Sequence, residues 1–74
     1  MIAFEKMARK HWEKNLPRFV KELKKEGIYE RELKTAARQA SEELAHLVKD
    51  GAQVEAAKEI VLMEYILLDP KTIE

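Results

Sequence analysis

Residues 59–68 constrain the fold most strongly, because eight of these ten residues are large and apolar. Charged residues make up 38% of the chain, so the run differs sharply from its surroundings. A surface helix normally carries one apolar stripe opposite a polar face, whereas this run is apolar on nearly every side. It predicts either the central element of the fold or a helix whose surplus apolar face is covered by another chain.

The chain length of 74 residues predicts one domain, over residues 1–70, followed by a frayed tail at 71–74. A chain this short buries only about 60% of the surface that it exposes when unfolded. Small domains therefore usually need disulfides, a metal or oligomerisation for stability. The sequence has no cysteine and only two histidines. Oligomerisation remains, and we expect a homodimer.

The only prolines and glycines, Pro17, Gly27, Gly51 and Pro70, divide the chain into four segments with helical periodicity. Gly27 and Gly51 offer helix ends with short loops, which favours antiparallel neighbours. The predicted fold class is all-α, a small bundle of three to four antiparallel helices at about 2–15, 17–26, 29–50 and 53–68. A strand over residues 60–68 is the alternative, although no partner strand is evident.

Each segment repeats apolar residues at intervals of three and four, as core-facing helices do. The predicted core positions are Phe4, Met7, Ala8, His11 and Trp12; Leu16, Phe19, Val20 and Leu23; Tyr29, Leu33, Ala36, Ala37, Ala40, Leu44, Leu47 and Val48; and Val54, Ala57, Ile60, Val61, Tyr65 and Leu68. Gly27 followed by Ile28 predicts a Schellman-type end to the second helix. The fourth helix is expected to be central in the bundle or to lie at a dimer seam.

The fourth segment has more apolar residues than one core face needs. Its surplus residues Leu62, Met63, Ile66 and Leu67 form a candidate protein interface. These side chains are either buried inside the monomer or contact a second copy of the chain or another protein. Glu64 interrupts this run, and a buried carboxylate without a partner is costly. It is expected to pair with a cation or His11, to lie at an interface rim, or to be exposed by a local bend.

Charge is unevenly distributed, although the net charge is zero. Residues 5–34 hold ten Lys/Arg against six Glu, a net of +4, and residues 35–74 hold four against eight Asp/Glu, a net of −4. A candidate basic surface on the first two helices comprises Lys6, Arg9, Lys10, Lys14, Arg18, Lys21 and Lys25. It is either solvated or contacts nucleic-acid phosphates. A helix-turn-helix around Gly27 would have an unusually long recognition helix.

Catalysis is not expected from this sequence. A nucleophile needs a base and an orienting group, and Thr35, Ser41 and Thr72 have no histidine close in sequence. His11 is expected to be packed against a backbone or carboxylate partner, with a pH-sensitive or ligand-binding role as the alternative, and His46 to be exposed. The histidines also lack the spacing of metal ligands. We therefore expect no metal site, and the chain is expected to be no enzyme and to bind no cofactor or small-molecule substrate.

The sequence also bears on location. No segment approaches the roughly 18 uninterrupted apolar residues of a membrane span, and the N-terminus lacks the apolar core of a signal peptide. The absence of cysteine is compatible with a reducing compartment. We therefore expect a cytoplasmic protein without a membrane partner.

A pattern over residues 11–68 carries a family resemblance. Its positions are Pro17, Leu23, Gly27, Leu33, Ala37 and Leu44, and then the ending Ala57-x-Glu59-Ile60-Val61-Leu62-x-Glu64-Tyr65-Ile66-Leu67-Leu68-x-Pro70. In this pattern the chain resembles small uncharacterised helical proteins encoded on bacterial transposons, prophages and plasmids. The resemblance implies a mobile-element origin and an intracellular setting, and it transfers no functional residue.

These observations favour a non-enzymatic protein–protein interaction module. In the specific form implied by the resemblance, it is a small accessory protein of a bacterial mobile element that modulates or inhibits a host protein. The alternative is a nucleic-acid-binding regulator that uses the basic faces of the first two helices.

Overall fold

The computed structural model describes residues 3–74, which contain helices and turns and no strand, so the all-α prediction is confirmed. The elements are α1 (Phe4–Asn15), α2 (Pro17–Lys25), α3 (Tyr29–Lys49), α4 (Val54–Val61), a π-helical turn (Leu62–Ile66) and α5 (Pro70–Ile73). The predicted beginning of the first helix at residue 2 lies outside the described residues. The boundaries of α2 and α3 fall within one residue of those predicted.

Proline and glycine set the helix boundaries. Leu16 precedes Pro17 and leaves the helical region, with φ −128° and ψ 55°, so the chain turns there from α1 into α2. Gly27 has φ +74°, and the amide of Ile28 donates to the carbonyl of Leu23 at 2.9 Å. This bond pattern is the Schellman-type end predicted for α2. Gly51, with φ +104°, ends α3 in the same way.

The central element is α3, since it packs against α1, α2, α4 and the π-helical turn. Of the two alternatives for helix four, the central position is excluded, because α4 packs chiefly on α3 and on the π-helical turn that continues it, and the dimer seam stays a prediction. Close helix approach at α3 is possible because Ala36 and Ala40 are buried small residues. The position of α4 at the edge of the bundle leaves its outer side open to solvent.

α1 and α4 run in the same direction on one side of the molecule. Phe4 and Val54, near their first residues, line one groove, and the His11 ring reaches the carbonyl of Leu68 beyond the other end. The core between the helices is built from buried residues of every long helix: Phe4, Ala8, Trp12, Leu16, Val20, Leu23, Tyr29, Leu33, Ala36, Ala40, Val61 and Ile66. The ring of Phe19 packs edge-on against Trp12, with centroids 5.4 Å apart.

The π-helical turn changes which residues of the fourth segment face the core. The amide of Leu67 donates to the carbonyl of Leu62, five residues back, at 2.6 Å. This wider turn accommodates one extra residue, so the core position after Val61 falls on Ile66, which is fully buried. The assignment of Ile66 to a surface is thus wrong. Ile60, predicted in the core, is 45% exposed.

The C-terminal segment also differs from the frayed tail expected at 71–74. Residues Pro70–Ile73 form a single helical turn, and the Asp69 carboxylate caps it by accepting from the amide of Lys71 at 3.0 Å. Asp followed by Pro stops the preceding helix, and the same pair begins a new one, since Asp is a strong N-cap and Pro fits the first turn. The Glu74 carboxylate then accepts from the Phe19 amide at 2.8 Å.

No helix within residues 3–74 combines the length and the apolar character needed to cross a bilayer.

The π-helical turn makes a specific stability prediction for two adjacent residues. Ile66→Ala leaves a cavity in the core and should lower the free energy of unfolding by about 2–5 kcal/mol. Leu67→Ala changes a side chain that is 42% exposed, so its cost should stay below about 1 kcal/mol. Urea denaturation of the two variants measures the difference. Equal losses, or a larger loss for Leu67→Ala, would show that the turn is wrongly placed.

Candidate protein interface

Three large apolar side chains face solvent on the outer side of the fourth segment. Ile60, Met63 and Leu67 are 45%, 73% and 42% exposed, and they recur at intervals of three and four residues. We call these three residues the outer face. Val61 and Ile66, on the opposite side, are fully buried in the core. The core is therefore complete without the outer face, whose apolar surface is available for contact with another molecule.

The predicted interface residues separate into two groups. Met63 and Leu67 lie on the outer face, whereas Leu62 is half-buried and Ile66 belongs to the core. Ile66 must be removed from the candidate interface, because the π-helical turn rotates it inward. Ile60 takes its place. Helical periodicity did not indicate Ile60, because the apolar pattern included it in the core face, whereas α4 directs Ala57 and Val61 inward and leaves Ile60 exposed.

Side chains of α1 hold the end of this segment in place. The indole Nε1 of Trp12 donates to the carbonyl of Ile66 at 2.8 Å. The Nε2 atom of His11 lies 2.9 Å from the carbonyl oxygen of Leu68, and Asn15 Nδ2 lies 3.1 Å from His11 Nδ1. A carbonyl only accepts, so His11 carries its proton on Nε2 and accepts from Asn15 through Nδ1. The prediction of a packed histidine with a backbone partner is confirmed.

A shallow groove adjoins the outer face on the side of α1. It has a volume of about 310 Å³ and is lined by Met7, Lys10, His11, Lys14, Asn15 and Leu67. Leu67 thus belongs to both surfaces and makes them continuous. The groove combines apolar side chains with two exposed ammonium groups, from Lys10 and Lys14.

Glu64 lies in the π-helical turn and is exposed. Among residues 3–74 it has no ion-pair partner, and the carboxylate is solvated rather than paired with His11. Pairing within the described residues is thus excluded and the carboxylate is exposed, whereas a place at an interface rim stays a prediction. Glu59, one turn earlier, is also exposed.

The candidate basic surface is mostly exposed, but its members are not equivalent. Arg9 donates two hydrogen bonds to the Glu30 carboxylate, one of them at 2.7 Å, so its positive charge is compensated by an ion pair. These bonds raise the pKa of Arg9 and lower the pKa of Glu30 from their ordinary values. The six other members have no ion-pair partner within residues 3–74: Lys6, Lys10, Lys14, Arg18, Lys21 and Lys25.

Tyr29 joins α1 to α3 beside this ion pair. Its ring is buried, and its hydroxyl donates to the Glu13 carboxylate at 2.9 Å. The cationic groups of Arg9 and Lys24 lie 5.8 and 5.3 Å from the centre of the ring. Burial, followed by the hydrogen bond to Glu13, raises the pKa of Tyr29 to about 12. Sequence periodicity predicted the burial of this residue but not its polar partners.

The described residues contain no cluster of three or more side chains able to hold a metal ion. A second groove, of about 550 Å³, lies at the opposite end of α1 between Phe4, Leu44, Val48 and Val54. Its walls are apolar, with Ser41 and Lys49 at the edge, and no titratable pair converges in it. His46 is exposed, as predicted, and its Nε2 lies 3.3 Å from the Asp50 carboxylate.

Comparisons with protein-family models, curated proteins and solved structures found no match to this chain. The resemblance to small proteins of bacterial mobile elements therefore stays a prediction.

The environment of Tyr29 predicts a loss of stability at alkaline pH. Its pKa is raised from 10.0 to about 12 by folding, so its contribution is complete below pH 10 and is lost as pH rises towards 12. Relative to Tyr29→Phe, the wild type should lose about 1 kcal/mol of unfolding free energy between pH 9 and 11.

Denaturation of both proteins at matched pH measures this difference. The lysines titrate in both proteins alike, so the difference between the wild type and Tyr29→Phe isolates the contribution of the Tyr29 hydroxyl. A difference that stays constant over this range would contradict the buried, hydrogen-bonded phenol.

Proposed function

We propose that this chain is a non-enzymatic protein–protein interaction module of the cytoplasm, which associates through the outer face. The observation that carries the proposal is the exposure of Ile60, Met63 and Leu67 above a core that is complete without them. A monomer gains nothing from exposing them. Association removes their surface from water, and full burial of one such side chain is worth about 1.5–3 kcal/mol.

The position of α4 supports the proposal. It lies at the edge of the bundle and packs on α3, so a partner can approach its outer side without disturbing the core. An exposed methionine suits such a surface, because its flexible side chain adapts to the shape of a partner. The small size of the domain, 74 residues without cysteine, adds a reason for association.

A narrower role follows only from the family resemblance. In that role the chain is an accessory protein of a bacterial mobile element, and it modulates or inhibits a host protein. The outer face is compatible with a host partner as well as with a second copy. This role stays a prediction. Association through the outer face is the part of it that can be tested with the purified chain.

Self-association is the direct test of the outer face. Sedimentation of the wild type from about 1 to about 500 μM should show a mass above that of the 8.7 kDa monomer. Met63→Glu should return the protein to the monomer, since a buried unpaired carboxylate is costly. Circular dichroism should show that the variant remains helical, because Met63 lies outside the core.

Val54→Glu is the matched control. Val54 is 49% exposed and begins α4, the helix that precedes the turn with Met63, but it lies outside the outer face, so this variant should associate like the wild type. A wild type that stays monomeric over the whole range would overturn the proposal. An equal loss for Val54→Glu would show a nonspecific effect of added charge.

The alternative function is a nucleic-acid-binding regulator. Its support is the six members of the candidate basic surface that have no ion-pair partner within residues 3–74. The paired Arg9 does not contribute. Binding of duplex DNA that weakens steeply with salt and is lost when Lys10, Arg18 and Lys21 become alanine would favour this alternative.

A further inference from the structure

Acidic side chains accompany the outer face on its own segment, which we call the acidic flank, and basic side chains lie on the neighbouring α1, which we call the basic flank. On its own segment, residues 54–66 hold three Glu against one Lys, and Glu59 and Glu64 are exposed. On the neighbouring helix, Phe4–Asn15 holds four Lys/Arg against two Glu. Lys10 and Lys14 line the groove that continues the outer face through Leu67. None of these four residues has an ion-pair partner within residues 3–74.

Because α1 packs against the π-helical turn that continues α4, and α1 and α4 run in the same direction, this surface is complementary to itself. A two-fold axis along the two helices places α1 of one copy over α4 of the other, and the reverse contact follows by symmetry. Each acidic flank then meets a basic flank. A two-fold axis across the helices would place α1 on α1 and bring like charges together.

We propose that the partner of the outer face is a second copy of this chain, bound with Lys10 and Lys14 of each copy against Glu59 and Glu64 of the other. This inference rests on the proposed function and names its partner. Met63 of each copy enters the groove beside Leu67 of the other. The arrangement closes on itself, so it gives a dimer and no larger assembly.

The area required for a stable interface favours the inclusion of the groove. A typical specific interface buries about 800 Å² on each partner, which is about 15% of the 5423 Å² exposed by this chain. Three partly exposed side chains do not supply this area. The groove of about 310 Å³ adds to this area. It adjoins the outer face at Leu67 and extends the apolar surface towards Lys10 and Lys14.

Charge exchange between two variants tests the arrangement. Lys10→Glu with Lys14→Glu makes one variant, and Glu59→Lys with Glu64→Lys makes the other. Each variant alone brings like charges together across the interface. The dissociation constant of its homodimer should therefore be at least about tenfold higher than that of the wild type. An equimolar mixture should form a heterodimer whose dissociation constant is within about threefold of the wild-type value.

Lys21→Glu with Lys25→Glu is the control, since these exposed lysines have the same spacing on α2 and lie outside the groove. It should dimerise like the wild type. Loss in each charge variant with recovery in the mixture establishes the proposed contact. If both charge variants dimerise normally while Met63→Glu does not, or if the folded mixture fails to recover, the inference is overturned and the proposed function stands. A monomeric wild type overturns both.

Discussion

Two hydrogen bonds from α1 fix the end of the fourth segment against the rest of the bundle. The Trp12 indole and the His11 imidazole donate to the carbonyls of Ile66 and Leu68, across 54 and 57 residues of sequence. A helix end leaves carbonyl groups without a helical partner, and a buried polar group left unsatisfied costs about 1–3 kcal/mol. Because α1 supplies these donors, the segment can end inside the molecule and complete the core.

The surface follows from the same bonds. They fix the end of the π-helical turn, which holds Ile66 in the core and leaves Met63 and Leu67 outside. π-Helical turns are rare and occur frequently at functional sites. Here the turn separates a run that is apolar on all sides into a core half and an exposed half. The basic groove of α1 lies beside the exposed half for the same reason, since His11 and Leu67 both line it.

Most of the fold was predictable from local sequence chemistry. Pro17 and Gly27 determine their boundaries through backbone geometry alone, and the stripe from Phe4 to Trp12 follows from helical period. The π-helical turn was not predictable, because it depends on donors from α1 that are distant in sequence. The error at Ile66 arises from it, whereas Ile60 lies before the turn, in α4, which directs Ala57 and Val61 into the core instead. The helical turn at Pro70–Ile73 was not predicted, because Asp69-Pro70 was interpreted only as the end of the preceding helix, although Asp69 also caps a new one. For the candidate site, Met63 and Leu67 were predicted, whereas the groove requires the tertiary position of α1.

Hydrogen exchange at the Trp12 indole tests the central bond most directly. The Nε1–H is buried and bonded to the Ile66 carbonyl, so NMR in deuterated buffer should show exchange at least about 100-fold slower than in free tryptophan. That protection should persist in the Met63→Glu variant, which leaves the bond intact. Exchange of the wild-type indole within about threefold of the free rate would show that α1 does not hold the end of the fourth segment, and would contradict this account.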